Sequence, residues 1–128
     1  MIVASSEHAH YRTSFTNGAQ VAYADTTVEK GGGEAGFRPH ELLEASLACC
    51  VNIWLRMYAD AHGVPLQNVV TRVALDRSAP GVAAFKCAVE LDGPLTALQR
   101  EKLLAVADSC PVSRTLGRNV SVSCVGSP

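Results

Sequence analysis

At 128 residues with 48% hydrophobic content, the chain is long enough for one folded domain and too apolar for a disordered segment. Such a domain, residues 1–128, buries roughly two-thirds of its unfolded surface. A net charge of −1, with both signs interspersed, gives no electrostatic footprint for nucleic acid or an anionic membrane. Five cysteines, an odd number at modest density, fit a reduced, cytoplasmic setting better than a secreted disulfide framework. The longest apolar run, Leu47 to Leu55, is broken by Asn52 and falls short of the ~18 residues of a membrane span. The first residues lack the basic start and apolar block of a signal peptide.

Residues 8–15 alternate loosely, with Tyr11, Thr13 and Phe15 on one face, and read as a strand. Thr16-Asn17-Gly18 is a hairpin turn signal, and Gln20–Ala24 is the returning strand. Asp25–Gly36, with Gly31, Gly32 and Gly33 in a row, reads as a mobile connection. It lacks the Gly-Lys-Ser/Thr ending of a phosphate loop.

Pro39 to His62 is the longest segment without a breaker. Pro39 suits a first helical turn, where no N–H is needed, and Glu41 sets a carboxylate near the positive end of the dipole. Gly63 and Pro65 stop the helix. Leu42, Leu43, Leu47, Cys50, Trp54 and Met57 recur at helical spacing, and Ala45, Ala48, Cys49, Val51, Ile53 and Leu55 make the other side apolar too. A helix apolar nearly all round is expected to be buried on most sides.

Val69–Leu75 is a β-branched run, and Ala84–Leu91 alternates Phe85, Cys87, Val89 and Leu91 against Lys86 and Glu90; together they predict an antiparallel pair. Thr96 and Gln99 form a capping box opening a helix to about Ser109, with Leu98, Leu103, Val106 and Ala107 as its apolar stripe. Cys110-Pro111 ends that helix, Val112–Leu116 allows one further turn, and Asn119–Val125 alternates as a last strand. The predicted order β-β-α-β-β-α-β is an α+β fold, mostly antiparallel sheet with helices on one face.

Cysteine is the residue type whose placement looks chemical. Cys87 and Cys124 read as small core hydrophobes. Cys49 and Cys50 point roughly 100° apart on the helix, so a reactive one needs a partner from elsewhere, and Cys110 is the natural candidate. A reactive thiol also needs a nearby cation to hold its thiolate; Arg12, Arg38, Arg56 and Arg114 are the candidates. Arg38 and Glu41 flank the helix start and can pair there. The competing reading is that these are solvated surface charges, Arg56 above all. His8, His10, His40 and His62 with the cysteines lack the spacing of a zinc or similar site, which leaves a metal-binding domain as a minor reading and no metal as the expectation. No nucleophile elbow or dinucleotide fingerprint is present.

Three stretches together resemble the OsmC/Ohr family of osmotically inducible and organic hydroperoxide resistance proteins. They are Pro39-His-Glu-Leu-Leu-Glu-Ala-Ser-Leu-Ala-Cys-Cys50, Leu55-Arg-Met-Tyr-Ala-Asp60 and Ala107-Asp-Ser-Cys110-Pro-Val-Ser-Arg-Thr-Leu116. The likeness runs from about residue 10 to residue 126. It implies an OsmC-like fold: a bent antiparallel sheet wrapped around a central buried helix in an intertwined homodimer, with sites at the interface. It also implies a thiol-dependent peroxidase without a cofactor, in which Cys50 attacks an organic hydroperoxide and Cys110 closes a disulfide with it. An external dithiol, such as a lipoylated protein, then reduces that disulfide. Cys49 falls where the family has a small residue and reads as a packing thiol.

The sequence departs from the family where the thiolate is activated. The peroxidases carry a glutamate ten residues before the first cysteine, paired with an arginine from the N-terminal strand region. Here that position is His40, with Glu41 next to it, and the arginine column falls near His8 to His10, with Arg12 close by. Arg38 with Glu41, or Arg12 with His40, are the candidate substitutes. The pattern resembles the generic OsmC-like branch. The alternative is a non-catalytic OsmC-like dimer that binds a small apolar or thiol-reactive ligand at its interface.

Overall fold

In a computed structural model of the protein, which describes residues 1–126, the chain divides into two compact units, Met1–Ala45 and Ser46 onward. In the first unit, β1 (Val3–Ser6), β2 (Thr13–Thr16) and β3 (Val21–Ala24) form an antiparallel sheet in that order. Phe15 of β2 lies opposite Ala4 and Ala22. The β2–β3 turn is the predicted one: Asn17 Oδ1 accepts from the N–H groups of Ala19 and Gln20, and Gly18 takes a φ of 100°. Two expectations change here. β1 was not read from the sequence, and His8 and His10 lie in the β1–β2 turn, not on a strand.

Residues 25–36 are not the loose connection expected from the glycines. Asp25, only 4% exposed, accepts from the N–H groups of Thr26, Gly33 and Ala35 through its carboxylate. One 3-10 turn, Val28–Lys30, forms within the loop. The hydrogen bonds from Ala35, Thr26 and Gly33, with Arg12 nearby, hold the Asp25 carboxyl below the usual carboxylate range, against the effect of burial. Gly36 must be glycine for space: a Cβ would collide with the Tyr23 carbonyl, where the chain bridges back to β3.

The long helix α1 (Pro39–His62) has the predicted ends. Only Leu47, Val51, Leu55 and Ala59 are buried, a stripe at every fourth residue. The helix is therefore not buried all round within one chain; Ile53 and Met57 are 61% and 58% exposed. By length and composition α1 could cross a membrane, despite the interruption at Asn52, but its buried stripe is the core of the second unit.

That core is closed by β4 (Asn68–Asp76), β5 (Ala84–Asp92) and α2 (Ala97–Ala107). Leu66, Leu91, Leu103, Ala107 and Cys110 pack with the α1 stripe. The antiparallel β4–β5 register sets Val73 opposite Cys87 and Thr71 opposite Val89. Asn52 ties α1 to β4: its Nδ2 donates to the Val69 carbonyl, and its Oδ1 accepts from the Thr71 hydroxyl at 2.6 Å. The Thr96–Gln99 capping box is present in both directions. Within the α2 stripe, Leu103 and Ala107 are buried, whereas Leu98 is exposed.

A short helix α3 (Pro111–Leu116) follows. Residues 119–125 form no strand among the described residues: the alternation is there, but no neighbouring strand pairs with it. Cys124 is accordingly exposed and not a core residue. The fold is α+β with antiparallel sheets, as read from the sequence; among the described residues the strands form sheets of three and two.

Candidate functional site

Cys50 and Cys110 come together in the second unit, and both thiols are free. Cys50 lies in the fourth turn of α1, half-buried beside Val51. Cys110 is 0% exposed and is the N-cap residue of α3. Pro111 starts that helix because a first-turn residue needs no N–H. The chain turn this creates aims two backbone donors at sulfur. The Val112 N–H donates to Cys50 Sγ at 3.5 Å, and the Ser113 N–H donates to Cys110 Sγ at 3.4 Å.

Burial pushes the Cys110 thiol up, and the adjoining Cys50 thiol pushes it further. The N–H groups of Ser113 and Val112 act in the opposite sense on the same sulfur.

Each cation named from the sequence has a partner of its own. Arg56 is not a free surface charge: it donates to the carbonyls of Leu66 at 2.6 Å and Gln67 at 3.2 Å, clamping the α1–β4 connection. Arg114 lies 5.8 Å from the Trp54 ring centroid. In the first unit, Arg38 and Glu41 pair at 3.2 Å, as expected. Glu41 also accepts from the Arg38 backbone N–H at 2.8 Å, and these Arg38 contacts hold its carboxyl below the usual range. Arg12 pairs with Glu7 at 3.0 Å and lies over the Tyr23 ring at 4.4 Å, so its partners are not His40. His40 is exposed at the start of α1.

A pocket of about 410 Å³ opens in the second unit, lined by chain neighbours of Cys50 and Cys110 but by neither cysteine itself. Its lining includes Leu47 and Val51, which flank Cys50 on α1, and Ala107 and Ser113, which bracket Cys110. Phe85, Cys87 and Val89 form the β5 wall. Cys87 is not the small core hydrophobe expected: it is exposed on the pocket wall, between Phe85 and Val89, which pack partly buried against the core. Desolvation by the walls pushes the Cys87 thiol up, and Asp108 adds to the shift. Asp108 and Cys87 are the pocket residues the sequence reading missed as such. Cys49 is exposed within one chain, on the opposite side of α1 from the buried stripe. Among the described residues no group of three or more His, Cys, Asp or Glu side chains is placed to hold a metal ion.

Residues 31–125 match the family model described as OsmC-like protein. No curated protein matches the sequence. Among solved structures, the chain is similar to an OsmC like protein from Mycoplasma pneumoniae, at 19% identity and a TM-score of 0.75, with 91% of this chain and 85% of that one covered. It is also similar to an organic hydroperoxide resistance protein OsmC from Legionella pneumophila, at 22% identity and a TM-score of 0.65, covering 91% and 88%. The organic hydroperoxide resistance protein OhrB of Bacillus subtilis aligns at 18% identity and a TM-score of 0.63, covering 93% and 90%. At these identities the likeness is one of fold.

Proposed function

The chain belongs to the OsmC-like protein family, and from that premise we propose that it is a thiol-dependent peroxidase acting on organic hydroperoxides. The reading rests on one observation, the Cys50 and Cys110 thiols as neighbours, each accepting from its own backbone N–H in the first turn of α3. The Cys50 thiolate attacks the outer oxygen of the O–O bond. The bond breaks heterolytically, the alkoxide takes a proton and leaves as alcohol, and Cys50 becomes a sulfenic acid. The Cys110 sulfur then displaces hydroxide from that sulfenic acid, water leaves, and a disulfide joins the two. An external dithiol, such as a lipoylated protein, returns both cysteines to thiols and is itself oxidised. The Val112 N–H supports the thiolate in the first step. Arg38, Glu41, Arg12 and His40 are the residues proposed to orient or activate it in the assembled protein.

The proposed assembly is a homodimer of single OsmC-like domains, residues 1–128, in the cytoplasm, where reductants keep the thiols available. A second copy accounts for the apolar face of α1 left bare at Ile53 and Met57.

The test is dithiol-supported consumption of cumene and tert-butyl hydroperoxide. Wild type is active, Cys50→Ser is inactive, and Cys110→Ser makes a sulfenic acid without turning over. An inactive wild type, or full activity in Cys50→Ser, overturns the reading. The pocket also favours a second reading, a non-catalytic dimer that holds a small apolar ligand. Ligand retained through purification, with Cys50 inert to peroxide, would establish it.

A further inference from the structure

The pocket of the second unit takes in Val51 next to Cys50 and Ser113 close to Cys110, but neither cysteine, and is lined by apolar side chains on three elements: Leu47 and Val51 of α1, Phe85 and Val89 of β5, and Leu104 of α2. Among the described residues its one charged lining residue is Asp108, with no Lys, Arg or His. We propose that Asp108 makes this site selective for neutral over anionic ligands, so that the substrates are neutral or esterified hydroperoxides and not free fatty-acid hydroperoxides. The substrate half of this inference rests on the peroxidase reading; the charge selectivity does not.

Two features of Asp108 argue that its placement serves the pocket and not the fold. It is the C-cap residue of α2, whose last turn holds no basic residue, so its carboxylate sits at the negative end of a helix where a cation would stabilise and an anion does not. Its field also reaches across the pocket, where it disfavours a negative charge on the Cys87 sulfur. An anionic head group entering the same space meets the same repulsion. A ligand with an apolar chain and an uncharged end meets only the burial gain of the walls.

The experiment compares kcat/KM for two hydroperoxides of one chain, linoleic acid hydroperoxide and its methyl ester, at low and high ionic strength. Wild type is expected to prefer the ester by roughly three- to ten-fold beyond any preference in Asp108→Asn, with the gap narrowing as salt screens it. Asp108→Lys should reverse the preference toward the free acid. An ester-to-acid ratio that is the same in wild type, Asp108→Asn and Asp108→Lys overturns the proposal. The salt dependence of the wild-type ratio reads the same field without any variant. If neither hydroperoxide is consumed, the peroxidase reading falls, and alkylation decides the charge selectivity alone. The rate ratio of iodoacetamide to iodoacetate labelling at Cys87 should then fall in Asp108→Asn and fall further in Asp108→Lys. A ratio that neither variant changes overturns it.

Discussion

The backbone N–H of Val112 donates to the half-buried Cys50 Sγ at 3.5 Å from a position two residues beyond the fully buried Cys110. Burial and then the Cys50 neighbour raise the Cys110 thiol above the ordinary thiol range. Alkylation at Cys110, followed by peptide mass mapping against pH, should therefore show a midpoint above that of a free cysteine. Cys50→Ala should lower that midpoint. The sign for stability follows: a raised native value means the contribution is present below the unfolded thiol's value of about 8.5 and is lost as pH rises through the native one. Thermal melts should show Tm falling at alkaline pH more steeply in wild type than in Cys110→Ala. A Cys110 midpoint at or below the free-cysteine value would contradict the geometry.

Asp25 carries the opposite sign. Its carboxyl is held low by the N–H groups of Ala35, Thr26 and Gly33, so its contribution is present above the unfolded value of about 3.9 and is lost as pH falls through the lower native one. Asp25→Asn keeps a single acceptor oxygen where the carboxylate used two, Oδ1 for Thr26 and Oδ2 for Gly33 and Ala35. It should lower Tm at neutral pH, flatten the acid limb of stability against pH, and speed amide exchange of residues 33–35 first. Unchanged exchange in that loop would show that the carboxylate does not organise it.

That loop marks the limit of what the sequence discloses. Breakers and caps act locally, so both ends of α1, the Asn17-Gly18 turn and the Thr96–Gln99 box could be read directly. The pairing of Cys50 with Cys110 came from the family likeness, since nothing in their own spacing brings two residues of separate helical segments together. What could not be read depends on partners distant in the chain. Asn119–Val125 has the alternation of a strand, but a strand exists only where a neighbour accepts its ladder, and none does among the described residues. The glycines at 31–33 suggest freedom, while the residue that removes it, Asp25, lies upstream and looks like any turn aspartate. Arg56 looked solvated because the carbonyls it holds, Leu66 and Gln67, lie beyond the helix stop.

Arg56 gives a direct stability test. Its guanidinium fork reaches two carbonyls at once, and a lysine ammonium cannot reproduce that geometry. Arg56→Lys should cost about 1 kcal/mol and Arg56→Ala about 1–3 kcal/mol in urea unfolding, the range for leaving charged hydrogen bonds unmade. Equal stability of wild type and Arg56→Ala would mean water replaces the clamp freely.

Leu55 and Ile53, two residues apart on α1, separate the chain's own core from the proposed dimer face. Leu55 is 0% exposed, so Leu55→Ala removes buried methyl groups and should cost about 2–5 kcal/mol at any protein concentration. Ile53 is 61% exposed within one chain, and in an isolated chain its replacement should change stability by less than about 0.5 kcal/mol. Where a second copy covers that face, Ile53→Asp buries a charge against apolar surface and splits the dimer. Light scattering after gel filtration should then find wild type dimeric and Ile53→Asp monomeric, with the Tm of wild type, but not of the variant, rising with concentration. A variant as dimeric as wild type would place the interface elsewhere and leave this apolar face of α1 in need of another partner.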